Sequence, residues 1–156
     1  MSFKIGIDFH GVISAKPQKF AAFCQKIRQF GIKVYIISGG PKEDIIRYLD
    51  LHHIEYDEIW AILDYYKELN VAECYDDGSF QIPTDLWNKA KARYCADNDI
   101  AFHIDDSPVY GAYFSTPYCQ YDINKGCCSS DGIPPIDLNR PEEAAQNIAQ
   151  LILNLK

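Results

Sequence analysis

The sequence predicts a single α/β domain with a mostly parallel sheet and helices on both faces. Three observations lead to this prediction. Short apolar runs typical of strands alternate with longer segments of helical periodicity. The strand-like runs are apolar throughout, as in parallel strands that are buried on both faces. The length of 156 residues corresponds to one ordinary domain.

Each element is indicated by its own local pattern. The first predicted helix has Pro17 in its first turn and Gly31 at its exit. Thr84 is expected to cap a later helix, and Asp76-Asp77-Gly78 to form the turn of a hairpin over residues 71–82. The predicted strands cover residues 3–9, 32–37, 56–62, 100–106 and 117–121. The predicted helices cover residues 17–30, the segment opened by Pro41, and residues 63–69, 84–98, 107–114 and 141–155.

This order of elements predicts one Rossmann-like domain over residues 3–155. Residues 122–140 are rich in Gly, Pro, Ser and Asp, and we expect them to form a long connecting loop before the last helix. Residues 63–84, which contain the hairpin, are the segment available as a small insert beside the core.

Charge and composition exclude several classes of function. The chain has 15 Lys and Arg against 22 Asp and Glu, a formal net charge of −7. This sign argues against nucleic acids and anionic membranes as partners. The apolar runs are shorter than the roughly 18 residues of a membrane-spanning helix. The acidic excess fits either a solvated surface or carboxylates that bind a cation.

The six cysteines lack Cys-x-x-Cys pairs and the usual spacing of zinc sites. A chain of this length does not need disulfides in order to fold. We therefore expect reduced, mostly buried thiols. Together with a β-like run that follows the N-terminus without a signal-peptide pattern, they predict a cytoplasmic protein.

Acidic side chains follow two of the predicted strands. Asp8 ends the first strand, and Asp105 and Asp106 end the strand over residues 100–106. The carboxyl ends of parallel strands meet at one edge of a sheet, so these carboxylates are expected to converge there. A bound cation or a lysine would relieve their repulsion, and oxygen-only ligands favour Mg²⁺.

A phosphate group fits the same edge of the sheet. A magnesium ion held by carboxylates commonly takes phosphate oxygens into its remaining positions. Ser38 and the amides of Gly39 and Gly40, just before a predicted helix, can form a phosphate cradle. A lysine of the helix before the acidic pair, Lys91 or Lys89, would bind both carboxylate and phosphate.

Four motifs in this order resemble the signature motifs of the haloacid dehalogenase superfamily of phosphohydrolases. Asp8-Phe9-His10-Gly11-Val12-Ile13 resembles the first motif, Asp-x-Asp-Gly-x-x, and Ile36-Ile37-Ser38-Gly39 resembles the second. Lys91 resembles the third motif, and His103-Ile104-Asp105-Asp106-Ser107 resembles the acidic fourth motif. The resemblance covers about residues 3–121.

The resemblance implies a magnesium-dependent phosphohydrolase that acts through an aspartyl-phosphate on Asp8. The implied residues are Asp8, His10, Asp105 and Asp106 for the metal and Ser38, Gly39 and Lys91 for the phosphoryl group, with Lys89 as the alternative lysine. With little room for a cap, the resemblance also implies an open site for a phosphorylated small molecule or a macromolecular phosphoester.

His10 departs from the family pattern, in which this position carries the acid that protonates the leaving group and then activates water. Any residue can supply the backbone carbonyl that binds magnesium, and an imidazole can exchange protons near neutral pH. Two functions therefore stay open: a hydrolase with weak or altered activity, in which Asp8 and His10 are catalytic, and a non-hydrolysing module that binds phosphate or metal. A receiver-like phospho-acceptor domain is disfavoured, because its acidic pair would follow the first strand.

The remaining histidines and the tyrosines near the fourth motif are assigned structural roles. We expect surface or packing roles for His52, His53 and His103. We expect core packing, in preference to pocket lining, for Tyr110, Tyr113, Tyr118 and Tyr121.

Overall fold

The computed structural model describes residues 2–154. This part of the chain contains nine strands and five α-helices. The strands are β1 (Lys4–Ile7), β2 (Lys33–Ser38), β3 (Glu58–Ala61), β4 (Glu73–Cys74), β5 (Phe80–Gln81), β6 (Phe102–Asp105), β7 (Tyr118–Asp122), β8 (Cys127–Ser130) and β9 (Ile133–Asp137). The helices are α1 (Pro17–Gln29), α2 (Lys42–Leu51), α3 (Ile62–Glu68), α4 (Thr84–Asp97) and α5 (Pro141–Leu153).

Seven strands form one sheet in the order β3-β2-β1-β6-β7-β8-β9. The first five strands in this order are parallel, and β8 and β9 add to the β7 edge in antiparallel fashion. The strand order reverses between β1 and β6. In open α/β sheets, such a switch point leaves a crevice at the carboxyl ends of the strands, where ligands bind. The α/β prediction with a mostly parallel sheet is confirmed.

Helices cover both faces of the parallel part of the sheet. On one face, Ile5 and Ile7 of β1 pack in the largest core cluster with apolar side chains of α1, α2 and α5. On the other face, α3 and α4 bury two smaller clusters, one around Ile62 and one around Ile37 and Cys95. Alternate residues of a strand point to opposite faces, which explains why apolar runs without alternation form these strands.

The prediction of a long loop over residues 122–140 is wrong, because this segment contains β8 and β9. On β7 and β8, Cys119, Tyr121 and Cys128 are buried, whereas Gln120 and Ser129 on the opposite face are exposed. Strands with one solvated face need few apolar residues. The Pro134-Pro135 pair is tolerated because β9 is an edge strand.

Two local predictions need correction. Pro83 occupies the position before α4, and Thr84 is the first helical residue without a capping hydrogen bond from a side chain there. The helix predicted over residues 107–114 is reduced to the short 3-10 turn Tyr110–Tyr113. Ser107 explains the late start, because its hydroxyl accepts hydrogen bonds from the amides of Val109 and Tyr110 and so forms a turn first.

The predicted hairpin is present as β4 and β5, with Gly78 in the left-handed region at a φ of 87°. Each of its strands has only two residues. Four of the six cysteines, Cys24, Cys95, Cys119 and Cys128, are buried, and all six are free thiols. Within residues 2–154, every helix is too short or too polar to cross a membrane.

Candidate active site

The candidate site lies at the switch point of the sheet. Asp8 follows β1 directly, and its amide donates a hydrogen bond to the carbonyl of Ile104 in the neighbouring strand β6 (2.9 Å). Asp105 is the last residue of β6. The two acids therefore lie at the carboxyl ends of adjacent parallel strands, as the sequence predicts.

Lys91 of α4 joins these two carboxylates. Its Nζ lies 2.9 Å from Oδ1 of Asp8 and 2.8 Å from Oδ2 of Asp105. The three side chains are almost fully buried, with exposed fractions of 4%, 6% and 0% for Lys91, Asp8 and Asp105. Lys89 is exposed, so the structure brings Lys91 and not Lys89 to the acidic residues.

Asp105 is the most strongly held acid of the group. Oδ2 also accepts a hydrogen bond from Nε2 of His103 (3.0 Å), and Oδ1 accepts one from the amide of Ser107 (3.1 Å). Although burial opposes its ionisation, the His103 hydrogen bond and the charge of Lys91 hold the pKa of Asp105 well below its usual range. Asp105 is therefore the permanently charged acid of the pair.

The pKa of Asp8, in contrast, is raised. Burial raises the pKa of Asp8 from 3.8 to about 8, an effect that Lys91 opposes and the negative charge of Asp105 reinforces. Its Oδ1 accepts hydrogen bonds only from Lys91 and from the amide of Phe9, among the residues described. Burial and the negative charge of Asp105 therefore favour the protonated form of Asp8 when no further cation is bound.

Asp106 adds a third carboxylate to the group. Ligand oxygens of Asp8, Asp105 and Asp106 lie within 4.8 Å of one another. Three carboxylates thus face a single ammonium group, and a divalent cation would balance the two remaining negative charges. The donors are all oxygen atoms, which suit a hard divalent cation such as Mg²⁺ or Ca²⁺.

Gly11 is required by the position of Asp106. Its φ of 78° lies in the left-handed region, and a side chain at position 11 would collide with the carboxylate of Asp106. The glycine of the first motif therefore lets the loop after β1 pass close to the acidic pair after β6.

Ser38 supplies an unused polar group at the end of β2. Its side chain is fully buried, yet its hydroxyl has no hydrogen-bond partner among residues 2–154. Buried hydroxyls without a partner are rare in folded proteins. The adjoining loop is fixed, because the carbonyl of Gly39 accepts a hydrogen bond from the amide of Leu63 (2.9 Å). Ser38 therefore has unused hydrogen-bonding capacity at the end of β2.

His10 lies at the outer side of the site. It is exposed, and its Nε2 lies 3.3 Å from the carbonyl oxygen of Gly40. Its ring packs edge-on against Phe9, with ring centroids 4.9 Å apart. His10 thus connects the loops after β1 and β2, and it stands outside the bonded group of Asp8, Lys91 and Asp105.

The surface or packing role predicted for His103 does not include its contact with Asp105. This side chain is fully buried and stacks on Phe114, but its Nε2 faces Asp105. Burial lowers the pKa of His103, so the ring is neutral and the nitrogen that faces the carboxylate carries the proton. The signal was present in the sequence, since residues two apart in a strand lie on the same face.

Tyr110 was also expected in the core, but it lies beside the site. Its ring centroid is 5.1 Å from Nζ of Lys91, and its hydroxyl accepts a hydrogen bond from Nε1 of Trp87 (2.7 Å). Both aromatic side chains are half-buried. No local sequence pattern predicts this contact, because it depends on how α4 packs against the turn Tyr110–Tyr113.

Comparisons with known proteins do not indicate a function, so the function is inferred from the geometry of the site. No protein-family model matches the chain, and no curated protein matches it. The arrangement combines a buried lysine, three converging carboxylates and an unpartnered hydroxyl at one sheet edge. Chemically, such a site can bind a divalent cation together with an anion and can present a carboxylate as a nucleophile.

We expect the metal-free protein to lose stability as the pH rises from 6.5 to 8. In this range, Asp8 keeps a proton in the folded state that the unfolded state has released, so the free energy of unfolding falls with rising pH. The lowered pKa of Asp105 has no effect in this range, because Asp105 is ionised in both states. The lowered pKa of His103 opposes the loss near pH 6.5, since about half of the unfolded-state imidazoles carry a proton there, and this effect disappears towards pH 8. The slope is at most about 1.4 kcal/mol per pH unit.

Urea unfolding in EDTA at the two pH values measures this loss. The Asp8→Asn variant should lose no stability over this range, whereas Asp131→Asn, which changes an exposed acid, should keep the slope of the parent. An equal loss of stability in Asp8→Asn and the parent would show that another group carries the proton.

Proposed function

We propose that this protein is a magnesium-dependent phosphohydrolase of the haloacid dehalogenase type, which acts through an aspartyl-phosphate on Asp8. The observation that carries the proposal is Lys91, which bonds to both Asp8 and Asp105 beside a third carboxylate. The fold supports it, because these residues lie at the switch point of a Rossmann-like sheet.

Asp8, Asp105 and the backbone carbonyl of His10 would hold Mg²⁺, with Asp106 in support. When bound, the ion supplies positive charge to the phosphoryl oxygens and keeps Asp8 ionised at neutral pH. Asp105 is already oriented for this role by Lys91, His103 and the amide of Ser107.

The phosphoryl group would be held by Ser38, Gly39 and Lys91. The buried hydroxyl of Ser38 can donate a hydrogen bond to a phosphate oxygen, which would give it the partner it lacks in the protein. Lys91 keeps a strong preference for the charged state, because Asp8 and Asp105 outweigh the effect of burial and raise its pKa.

In the first step, a carboxylate oxygen of Asp8 attacks phosphorus and the bond to the leaving oxygen breaks. His10 donates a proton to that oxygen, so the leaving group departs as an alcohol. In the second step, water attacks the phosphorus of the aspartyl-phosphate and gives a proton to His10. Inorganic phosphate leaves, and Asp8 and His10 return to their initial states.

Hydrolysis of p-nitrophenyl phosphate with Mg²⁺ tests this function. His10→Ala should lower kcat by about 100-fold, which is a usual contribution of a general acid and base, whereas His10→Asp should retain activity at or above the parent rate. His53→Ala removes a histidine outside the site and should leave kcat unchanged. Absence of hydrolysis in both the parent and His10→Asp would contradict a hydrolase.

The second candidate is a non-hydrolysing module that binds phosphate and metal at the same residues. It is favoured by one observation, the exposed position of His10 at Gly40, outside the bonded group of Asp8 and Lys91. Such a module would bind Mg²⁺ and inorganic phosphate in calorimetry but would show no turnover with any phosphoester.

The substrate class follows from the small size of the insert. The hairpin of β4 and β5 has two residues in each strand, too few to close over a bound molecule. We therefore propose a phosphorylated small molecule or a macromolecular phosphoester whose leaving group stays partly exposed. The net charge of −7 disfavours nucleic acids as partners.

A further inference from the structure

Trp87 of α4 and Tyr110 lie beside residues of the proposed phosphate site, and Phe80 of β5 packs against Trp87. We call these three side chains the aromatic wall. Trp87 lies four residues before Lys91, so both side chains stand on the same side of α4. Nε1 of Trp87 donates to the hydroxyl of Tyr110 (2.7 Å), and the rings of Trp87 and Phe80 have centroids 5.7 Å apart.

Trp87 lies next to Gly39, and Tyr110 lies next to Lys91. A methyl group at position 39 would lie 3.0 Å from Cη2 of Trp87, so the indole ring covers Gly39 closely. On the other side, the ring of Tyr110 lies 5.1 Å from Nζ of Lys91. A phosphoryl group between Ser38, Gly39 and Lys91 would therefore have the aromatic wall beside it.

The wall leaves apolar ring surface free at the site. Trp87 and Tyr110 are half-buried, and Phe80 has an exposed fraction of 36%. Because the indole N–H of Trp87 is already bonded to the Tyr110 hydroxyl, it does not require a ligand atom. The hairpin that carries Phe80 has only two residues in each strand, so a leaving group at this site would lie against the wall without being enclosed.

We propose that the aromatic wall selects phosphomonoesters whose leaving group carries an aromatic ring. This inference rests on the proposed function. A ring near the ester oxygen can pack on Trp87 by offset or edge-to-face contact, which an alkyl group of similar size cannot do. Such a contact corresponds to a preference of roughly tenfold over an alkyl ester.

Binding can be measured without turnover by the fluorescence of Trp87. The chain has only two tryptophans, so Trp60→Phe leaves Trp87 as the sole indole. With Mg²⁺, 4-nitrobenzylphosphonate should quench this fluorescence and bind roughly tenfold more tightly than cyclohexylmethylphosphonate, an alkyl phosphonate of similar size. In the matched Trp87→Phe variant, which retains Trp60, saturable quenching should be absent.

The variant Trp87→Leu separates stacking from phosphate binding. It should weaken binding of 4-nitrobenzylphosphonate roughly tenfold, measured by calorimetry, and leave the affinity for methylphosphonate unchanged. Equal affinities of the parent for 4-nitrobenzylphosphonate and cyclohexylmethylphosphonate would overturn the inference. Equal losses of affinity for 4-nitrobenzylphosphonate and methylphosphonate in Trp87→Leu would also overturn it, as would a failure of all these phosphonates to bind.

Hydrolysis by the unmodified protein distinguishes failure of the inference from failure of the proposed function. Faster hydrolysis of benzyl phosphate than of cyclohexylmethyl phosphate supports the wall, because these two alkyl esters have leaving groups of similar size and basicity. Equal rates for the two esters overturn the wall but leave the phosphohydrolase intact. Absence of hydrolysis together with absence of phosphonate binding overturns both.

Discussion

The Asp8→Asn variant should lose at least about 1,000-fold in kcat and yet be more stable than the parent at pH 8 without metal. The loss is expected because an amide oxygen is a poor nucleophile and the aspartyl-phosphate cannot form. The gain is expected because burial disfavours the charged form of Asp8, and the negative charges of Asp105 and Asp106 disfavour it further.

The neutral side chain should fit the same place. The Oδ1 atom of an asparagine can accept the hydrogen bonds that Asp8 accepts from Lys91 and from the amide of Phe9. Opposite changes in activity and stability are typical of a functional group that is unfavourable for the fold.

Phosphatase assays with Mg²⁺ and thermal unfolding in EDTA measure the two effects. Asp131→Asn, at an exposed position, should change neither activity nor melting temperature. Residual activity within tenfold of the parent would contradict the role of Asp8. A lower melting temperature of Asp8→Asn at pH 8 would contradict the charge argument.

The Lys91→Met variant should be destabilised by about 3–5 kcal/mol and should be inactive. The methionine fills a similar volume but leaves Asp8 and Asp105 buried without their shared cation. Removal of one partner of a buried ion pair has this effect because the remaining charge stays unpaired. Added Mg²⁺ should restore part of the stability, since it supplies the missing positive charge.

The matched control is Lys89→Met on the same helix. Lys89 is exposed, so this change should alter stability by no more than about 0.5 kcal/mol and should leave activity unchanged. Urea unfolding curves of the two variants, with and without Mg²⁺, give the comparison. Equal effects of the two substitutions would mean that Lys91 does not hold the acidic pair.

The parallel part of the fold could be predicted from the sequence because strands buried on both faces consist of unbroken apolar runs. β8 and β9 could not, because their pattern Cys-Cys-Ser-Ser and Ile-Pro-Pro-Ile-Asp reflects an exposed face and a sheet edge. β8 forms through pairing with β7, and β9 through pairing with β8, contacts that local pattern does not encode.

The acidic residues of the candidate site could be predicted because parallel strand ends converge. The choice of Lys91 over Lys89 needed the structure, since it depends on the rotation of α4 about its axis. The contacts of Trp87 and Tyr110 depend on packing between distant segments. The bond from His103 to Asp105, in contrast, follows from the period of two along β6 and was available in the sequence.

The most direct test of an aspartyl-phosphate on Asp8 is the binding of beryllofluoride, which forms a stable mimic of that group on a carboxylate. Fluorine NMR of the protein with Mg²⁺ and beryllofluoride should show bound fluorine signals in the parent and in Asp131→Asn. These signals should be absent from Asp8→Asn and from the parent in EDTA. Absence of bound signals in the parent, or their persistence in Asp8→Asn, would contradict phosphoryl transfer to Asp8.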